Sequence, residues 1–177
     1  MFLRRLMGPG PAKAAGRRLY AAVVAQARAP WLYAALAAPD TPDGRFEVYT
    51  LHVLMVLERL TAAGAKAGPV SQALFDAYLS GLDHGLRELA VGDLSVGKAM
   101  RKLAEAFYGR GKAYDAALEA LPDRAALEAM VARTVFSGVE GTNPAPFADY
   151  LLATRARLAA APLEVLMAGD IDWRAAA

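Results

Sequence analysis

The chain has 177 residues and a mass of 18.7 kDa, which suits one domain with a single hydrophobic core. It contains no cysteine, so disulfide bonds and thiolate metal sites are excluded, as is typical of proteins in a reducing compartment. The apolar fraction is 56%, yet no apolar run approaches the roughly 20 residues that span a bilayer. The sequence therefore predicts no transmembrane helix.

The net charge of +2 is unevenly distributed along the chain. The first 39 residues contain six basic and no acidic side chains, whereas the remainder contains 14 basic and 18 acidic ones. We predict that residues 1–15 form a flexible basic arm and that residues 16–177 form one helical domain. Anionic lipid headgroups and RNA phosphates both attract such a segment without specific nucleic-acid recognition, and the sequence favours neither. The candidate docking residues are its cations, Arg4, Arg5, Lys13, Arg17 and Arg18.

Apolar residues recur at three- and four-residue spacing along nearly the whole chain, which is the pattern of helices that bury one face. No segment shows the alternation that is typical of a strand. The pattern predicts an all-α fold, a single irregular domain of about six to seven helices. The predicted helices cover roughly residues 16–28, 31–37, 42–63, 70–89, 95–118, 122–135 and 147–158, followed by a short turn at 163–167 that Gly169 closes.

Several positions in these helices carry a more specific expectation. Thr41 and Pro42 predict an N-cap and a first helical residue, and the helix that follows is apolar on several sides, as in a buried central helix. His52 within it is expected to be a hydrogen-bonded core or interface residue. Gly81 and Gly85 predict a close approach by the backbone of a neighbouring helix, because glycine otherwise costs about 1 kcal/mol in a helix. We further expect residues 109–111, Gly-Arg-Gly, to bend or interrupt their helix.

The sequence contains no recognisable catalytic or cofactor site. His84 lies near Asp83 and Glu88, but these ligands are too few for a metal centre without further partners. The serines lack a nearby base held by a third group, and the segment around Lys98 lacks the glycine and hydroxyl positions of a phosphate loop. The sequence therefore predicts a binding protein, not an enzyme.

Two long segments resemble a known protein family. One is Asp-Thr-Pro-Asp-Gly-Arg-Phe-Glu at residues 40–47, and the other runs from Arg87 to Lys98 and continues with Ala-Glu-Ala-Phe-Tyr-Gly-Arg at 104–110. Both are similar to the ubiquinol-cytochrome c chaperone family. The resemblance extends from about Leu19 to Leu118, with little beyond Ala125.

The resemblance implies an all-helical, non-enzymatic chaperone without a cofactor. Its expected partner is newly made cytochrome b, whose entry into the ubiquinol-cytochrome c reductase (bc1) complex it would support. In mitochondria such proteins work with a small partner subunit near the ribosomal exit. We take nine residues from the matching segments as candidates for partner binding: Asp40, Arg45, Asp83, Arg87, Asp93, Lys98, Arg101, Lys102 and Tyr108.

Each of these interpretations has an alternative. The cations at 98, 101 and 102 share one helix face, which is equally typical of a solvated surface and of a docking site for an acidic partner. The charges at 83, 87, 93 and 98 could instead form internal ion pairs that fix helix crossings. The alternative function is a membrane-surface or ribosome-docking adaptor, and a third is an enzyme with an unrecognised site.

The same resemblance bears on where the protein acts. An arginine-rich, acid-free amino end is typical of a mitochondrial transit peptide. Because the resemblance begins within this stretch, we favour a bacterial protein of the cytoplasm, peripheral at the inner membrane, over a mitochondrial one.

Overall fold

Eight α-helices and no strand make up residues 10–88 and 93–173, the part of the chain that the computed structural model describes. The helices are α1 (Pro11–Ala27), α2 (Pro30–Ala34), α3 (Pro42–Ala62), α4 (Gly68–Glu88), α5 (Asp93–Glu119), α6 (Ala125–Arg133), α7 (Ala145–Ala160) and α8 (Leu163–Ala168), with a short 3-10 helix at Ala65–Ala67. The predicted all-α single domain is confirmed. The predicted terminal turn is a regular helix, which brings the described helices to eight.

Helix α3 is the buried centre of the fold and contacts α1, α4, α5 and α7. Residues 50–56 are all buried, although they point in every direction around the helix, as its continuous apolar pattern predicts. The hydroxyl of Thr41 accepts a hydrogen bond from the Gly44 amide at 3.1 Å, so the predicted N-cap is confirmed. Because α3 is covered on several sides, the other helices are positioned by their packing against it.

A buried hydrogen-bond chain fixes three helices around His52. Its Nδ1 lies 2.7 Å from the Val48 carbonyl, which can only accept, so this nitrogen carries the imidazole proton. The Tyr150 hydroxyl is 2.5 Å from Nε2, to which it donates, and it accepts a hydrogen bond from Gln26. Burial lowers the pKa of His52 to about 4, so the ring is neutral at pH 7. The predicted hydrogen-bonded core histidine is confirmed.

Helix α1 begins at Pro11, earlier than the expected boundary at residue 16. Ala15 and Gly16 are buried where α1 crosses α4. A β-carbon on Gly16 would lie 2.6 Å from the Ala73 carbonyl carbon, so glycine is required for this crossing. On α4 itself, Gly81 is covered by the Tyr20 hydroxyl, whereas nothing lies within 4 Å of the Gly85 position. The predicted close backbone approach is therefore wrong at both positions: a side chain covers Gly81, and Gly85 is open.

We expect Gly16→Ala to destabilise the protein by about 1 to 3 kcal/mol, because the added methyl group overpacks against the α4 backbone. Thermal or urea unfolding measures the change. Gly109→Ala is the matched control: that helical position is exposed and has no neighbour within 4 Å, so alanine there should stabilise by up to about 1 kcal/mol. Equal stability of Gly16→Ala and wild type would contradict the observed crossing.

Three further differences from the predicted helices lie in the second half of the chain. Helix α5 runs without interruption through Gly109 and Gly111, so the predicted interruption is wrong. Helix α6 begins at Ala125, three residues after the predicted start, and turns lead from its end to Val139. Gly169 has a φ of 91° and closes α8, as predicted. The corner at residues 91 and 92 lies outside the described residues.

Candidate binding groove

Four elements surround an open groove of about 850 Å3. They are the start of α3, the carboxyl-terminal half of α4, the middle of α5 and the turn that follows α6. The side chains that line it are mainly apolar. The larger apolar ones include Phe46, Leu82, Leu86, Leu103 and Val139. Val139 is 44% exposed, and the other four are partly buried. Gly85 widens the groove, since it presents no side chain where the α4 wall faces the opening.

A buried ion pair stands in the lining of this groove. The Glu47 carboxylate accepts hydrogen bonds from Arg110 Nη2 at 2.6 Å and from its Nε at 3.0 Å. Glu47 is only 6% exposed and is the one buried carboxylate in the described part of the chain. Its hydrogen bond raises the pKa of Arg110, which therefore remains charged. The pair joins α3 to α5 across 63 residues of sequence, and each charge satisfies the other.

The segment from Asp40 to Glu47 forms one corner of the groove. Gly44 lies against the Pro39 carbonyl, and a β-carbon there would approach that oxygen to 2.1 Å. Arg45 pairs with Asp40 at 2.5 Å and lies over the Tyr33 ring at 5.0 Å. These contacts hold the chain in the turn that leads into α3. This turn places Phe46 in the groove and Glu47 beside Arg110.

Three exposed cations lie on α5 near the groove. Lys98, Arg101 and Lys102 are all exposed, and none forms an ion pair within the described residues. Lys102 belongs to the groove lining, and the other two lie on the preceding turn of the same helix. The alternative of an internal ion pair for Lys98 finds no partner among the described side chains, which do not include that of Asp93. The groove has an apolar interior and a positively charged edge.

The lining of the groove contains no histidine among the described residues, and its buried carboxylate is paired with Arg110. The carboxylate of Asp43, which is exposed, also belongs to the lining. No group of three or more metal-ligating side chains occurs in residues 10–88 and 93–173.

The groove lies within a segment that matches a known protein family. The model of the ubiquinol-cytochrome C chaperone family matches residues 34–173, which include every residue of the groove lining. The chain belongs to this family. The crystal structure of the Cbp3 homolog from Brucella abortus is 36% identical in sequence, with a TM-score of 0.83 over 98% of this chain and 94% of that one. No curated protein sequence matches the chain significantly.

The extent of the family match corrects the carboxyl-terminal limit of the resemblance. The family model matches residues 34–173, well beyond Ala125, and the Brucella abortus structure aligns over 98% of this chain, which includes residues before 34. The family match therefore includes α6, α7 and α8, whose sequences carried no recognisable family motif. The turn after α6 supplies Val139 to the groove, so part of the site comes from this region.

Other residues predicted to bind a partner lie away from the groove. Asp83 and Arg87 form an ion pair one turn apart on α4, with Nε 2.8 Å from the carboxylate, and both side chains are 40% exposed or more. Tyr108 is 64% exposed, and its ring packs against Phe75 and Phe107. None of these side chains lines the groove. The side chain of Asp93 lies outside the described part of the structure.

The residues predicted to dock on a membrane or ribosome differ in their surroundings. Lys13 and Arg17 are exposed beside α4, in a cleft that also contains His84. Arg18 instead donates hydrogen bonds to the Ala168 carbonyl at the end of α8, with Nε at 2.7 Å, so it has a structural partner. Arg4 and Arg5 lie outside the described residues.

Most of the groove lining is not identifiable from the sequence. Phe46, Leu86 and Leu103 have the same apolar spacing as core residues, so their pattern cannot distinguish a groove from a core. Glu47 and Arg110 lie in the segments that resemble the family, but they are not among the predicted site residues. A glutamate within a continuous apolar helix is the signal that could have identified the pair, because a buried charge requires a partner.

No helix in the described part of the chain is long and apolar enough to cross a bilayer.

Proposed function

We propose that this family member is a non-enzymatic assembly chaperone for the ubiquinol-cytochrome c reductase (bc1) complex, and that newly made cytochrome b binds in the groove. The observation that carries this proposal is an apolar groove that the described chain leaves open, bordered by cations without ion-pair partners. Membership of the ubiquinol-cytochrome c chaperone family supports it. The proposed place of action is the cytoplasmic face of the inner membrane.

The size and composition of the groove suit part of an apolar helix. Its volume of about 850 Å3 lies within the range of ordinary ligand sites, about 300 to 1,000 Å3. A helix with its side chains is about 10 to 12 Å wide, so the groove accommodates the side chains along one face, not a whole helix. Such a face is recognised through residues spaced by three and four positions. The groove would thus cover one apolar stripe of an unassembled membrane helix.

The cations beside the groove suit the polar ends of such a helix. Membrane helices emerge from the ribosome with charged flanking loops, and acidic groups in those loops would be attracted to Lys98, Arg101 and Lys102. Because all three are exposed, their attraction acts mainly on the rate of encounter and weakens as salt screens it. Affinity would come from the apolar interior.

We expect the triple variant Lys98→Glu, Arg101→Glu and Lys102→Glu to keep its melting temperature within a few degrees, since exposed charges contribute little to stability. Capture of cytochrome b should fall severalfold, and wild-type capture should weaken above physiological salt. Co-purification of tagged variants with cytochrome b measures both effects. A folded triple variant that captures cytochrome b as well as wild type would show that this face is only solvated.

Deletion of the gene tests the proposed function in cells. The expected result is less assembled bc1 complex and less b-type haem in difference spectra, with an unchanged level of cytochrome b transcript. The wild-type gene supplied in trans should restore both. Normal bc1 complex in the deletion strain would contradict the proposal.

The alternative function, a docking adaptor for a membrane or ribosome, has a specific observation in its favour. Helix α1 contains no acidic residue, and its Lys13 and Arg17 are exposed without ion-pair partners in the described structure. Removal of residues 1–10 deletes Arg4 and Arg5 but leaves α1 and the groove intact. An adaptor that acts through this arm would lose vesicle or ribosome association and would not bring down cytochrome b even at full length, whereas a groove chaperone would keep its capture of cytochrome b after the removal. Whether a small partner subunit takes part is tested by the same co-purification.

A further inference from the structure

A second, smaller cavity lies on the other side of Phe46. It has a volume of about 280 Å3, opens to the surface and is lined by residues of α1, α2, the start of α3 and α4. Four aromatic rings line it, those of Tyr20, Tyr33, Phe46 and Tyr49. The cavity shares Phe46 and Leu82 with the groove, so the two sites have a common wall.

Two guanidinium groups face this cavity, and they differ in their partners. Arg45 is neutralised by Asp40 and lies over the Tyr33 ring. Arg28 is exposed and forms no ion pair or side-chain hydrogen bond within the described residues. No carboxylate belongs to the lining. The cavity therefore carries about one uncompensated positive charge, and that charge is on Arg28.

Arg28 lines the cavity together with Tyr33 and Tyr49. Burial raises the pKa of both tyrosines, and the Arg28 cation opposes that rise in each. The Tyr49 hydroxyl is itself buried, with the Tyr20 side chain beside it, so it is not open to a ligand. The cavity thus combines aromatic walls with one cation.

We propose that this cavity binds a monocarboxylate carried on a single aromatic ring, with the ring between the aromatic walls and the carboxylate on Arg28. A guanidinium binds a carboxylate through two parallel hydrogen bonds, and one unpaired cation matches a monoanion better than a phosphate dianion. The volume is slightly below the lower end of ordinary ligand sites, about 300 Å3, which suits one ring with a short side chain. Such an acid could be a free small molecule or the carboxyl terminus of a bound peptide. The site does not rest on the proposed chaperone function.

Titration of the full chain with 3-phenylpropionate, followed by calorimetry and by the NMR signals of the lining aromatic residues, tests the site. We expect saturable binding and shifts in the cavity signals. The neutral 3-phenylpropanamide should bind at least about tenfold more weakly, because it lacks the charge that strengthens a hydrogen bond to arginine. Arg28→Gln should weaken binding of the acid by a similar factor. Arg28 is exposed, so this variant should fold, and a thermal melt verifies it.

Arg17→Gln is the matched control, since Arg17 is an exposed cation of α1, the helix that Arg28 follows, and does not line the cavity. Its affinity for 3-phenylpropionate should equal that of wild type. Equal binding of the acid and the amide, equal binding by Arg28→Gln, or no saturation at millimolar concentration would each overturn the proposal.

Competition then distinguishes the two sources of the carboxylate. If 3-phenylpropionate binds and also displaces cytochrome b, the natural occupant belongs to the bound polypeptide. If it binds and leaves capture unchanged, the natural occupant is a free aromatic acid. Both outcomes support the site, and neither depends on whether deletion of the gene lowers the bc1 complex.

Discussion

Gly85→Leu should leave the protein stable while abolishing its capture of cytochrome b. Nothing lies within 4 Å of a β-carbon at this position, so a side chain can leave the backbone without a clash and extend into the groove. Replacing a helical glycine by leucine should stabilise by up to about 1 kcal/mol through better helix propensity. The side chain would occupy space that a bound apolar helix requires. Thermal melting and the bc1 level in a deletion strain carrying the variant measure the two effects.

Gly109→Leu is the matched control for Gly85→Leu. Gly109 is also an open helical position, but it is exposed on α5 and does not line the groove. Its variant should melt at or slightly above the wild-type temperature and restore the bc1 complex fully. Full restoration by Gly85→Leu as well would show that the groove is not the binding site. A melting temperature of Gly85→Leu well below wild type would show that another element occupies the groove.

Glu47→Ala should lower the free energy of unfolding by about 3 kcal/mol. Removing one partner of a buried ion pair typically costs about 3 to 5 kcal/mol, because the other charge is left unpaired. The lower end applies here, since the Arg110 side chain is 34% exposed and retains some solvation. Urea unfolding monitored by circular dichroism measures the loss. A change below about 0.5 kcal/mol, the usual effect of a surface substitution, would show that the pair is not buried in solution.

The double variant Glu47→Leu and Arg110→Met separates stability from binding at this pair. Apolar replacement of both partners of a buried ion pair is often neutral or stabilising, so the double variant should regain most of the stability that Glu47→Ala loses. If it also captures cytochrome b, the pair serves the fold alone. If it is stable but fails in capture, the pair contacts the bound chain.

The helices could be predicted well because each depends on local chemistry. The apolar spacing follows the helical period, Thr41 provides an N-cap, and Gly169 adopts the left-handed conformation that ends α8. The wrong expectations concern which helices meet at which residues. Gly81 and Gly85 lie one turn apart on α4, but only Gly81 has a close neighbour. Helix α1 crosses the α4 backbone at Gly16, whose sequence context does not distinguish it from an ordinary helical glycine.

The candidate site was only partly predictable for the same reason. The exposure of Lys102 follows from its place on the polar face of α5, and the ion pair of Asp83 with Arg87 follows from their four-residue spacing. The Glu47 ion pair spans 63 residues, so its partner cannot be inferred from local sequence. The groove itself arises where α3, α4 and α5 diverge, and apolar residues there have the same spacing as those of the core.

Photocrosslinking during cytochrome b synthesis tests the central claim, that newly made cytochrome b binds in the groove. A photoreactive phenylalanine at Leu86 places the probe in the groove, and the same residue at Tyr108 places it on an exposed surface outside the groove. We predict a crosslink to newly made cytochrome b from position 86 and little or none from position 108. A crosslink from position 108 without one from position 86 would contradict the assignment of the groove.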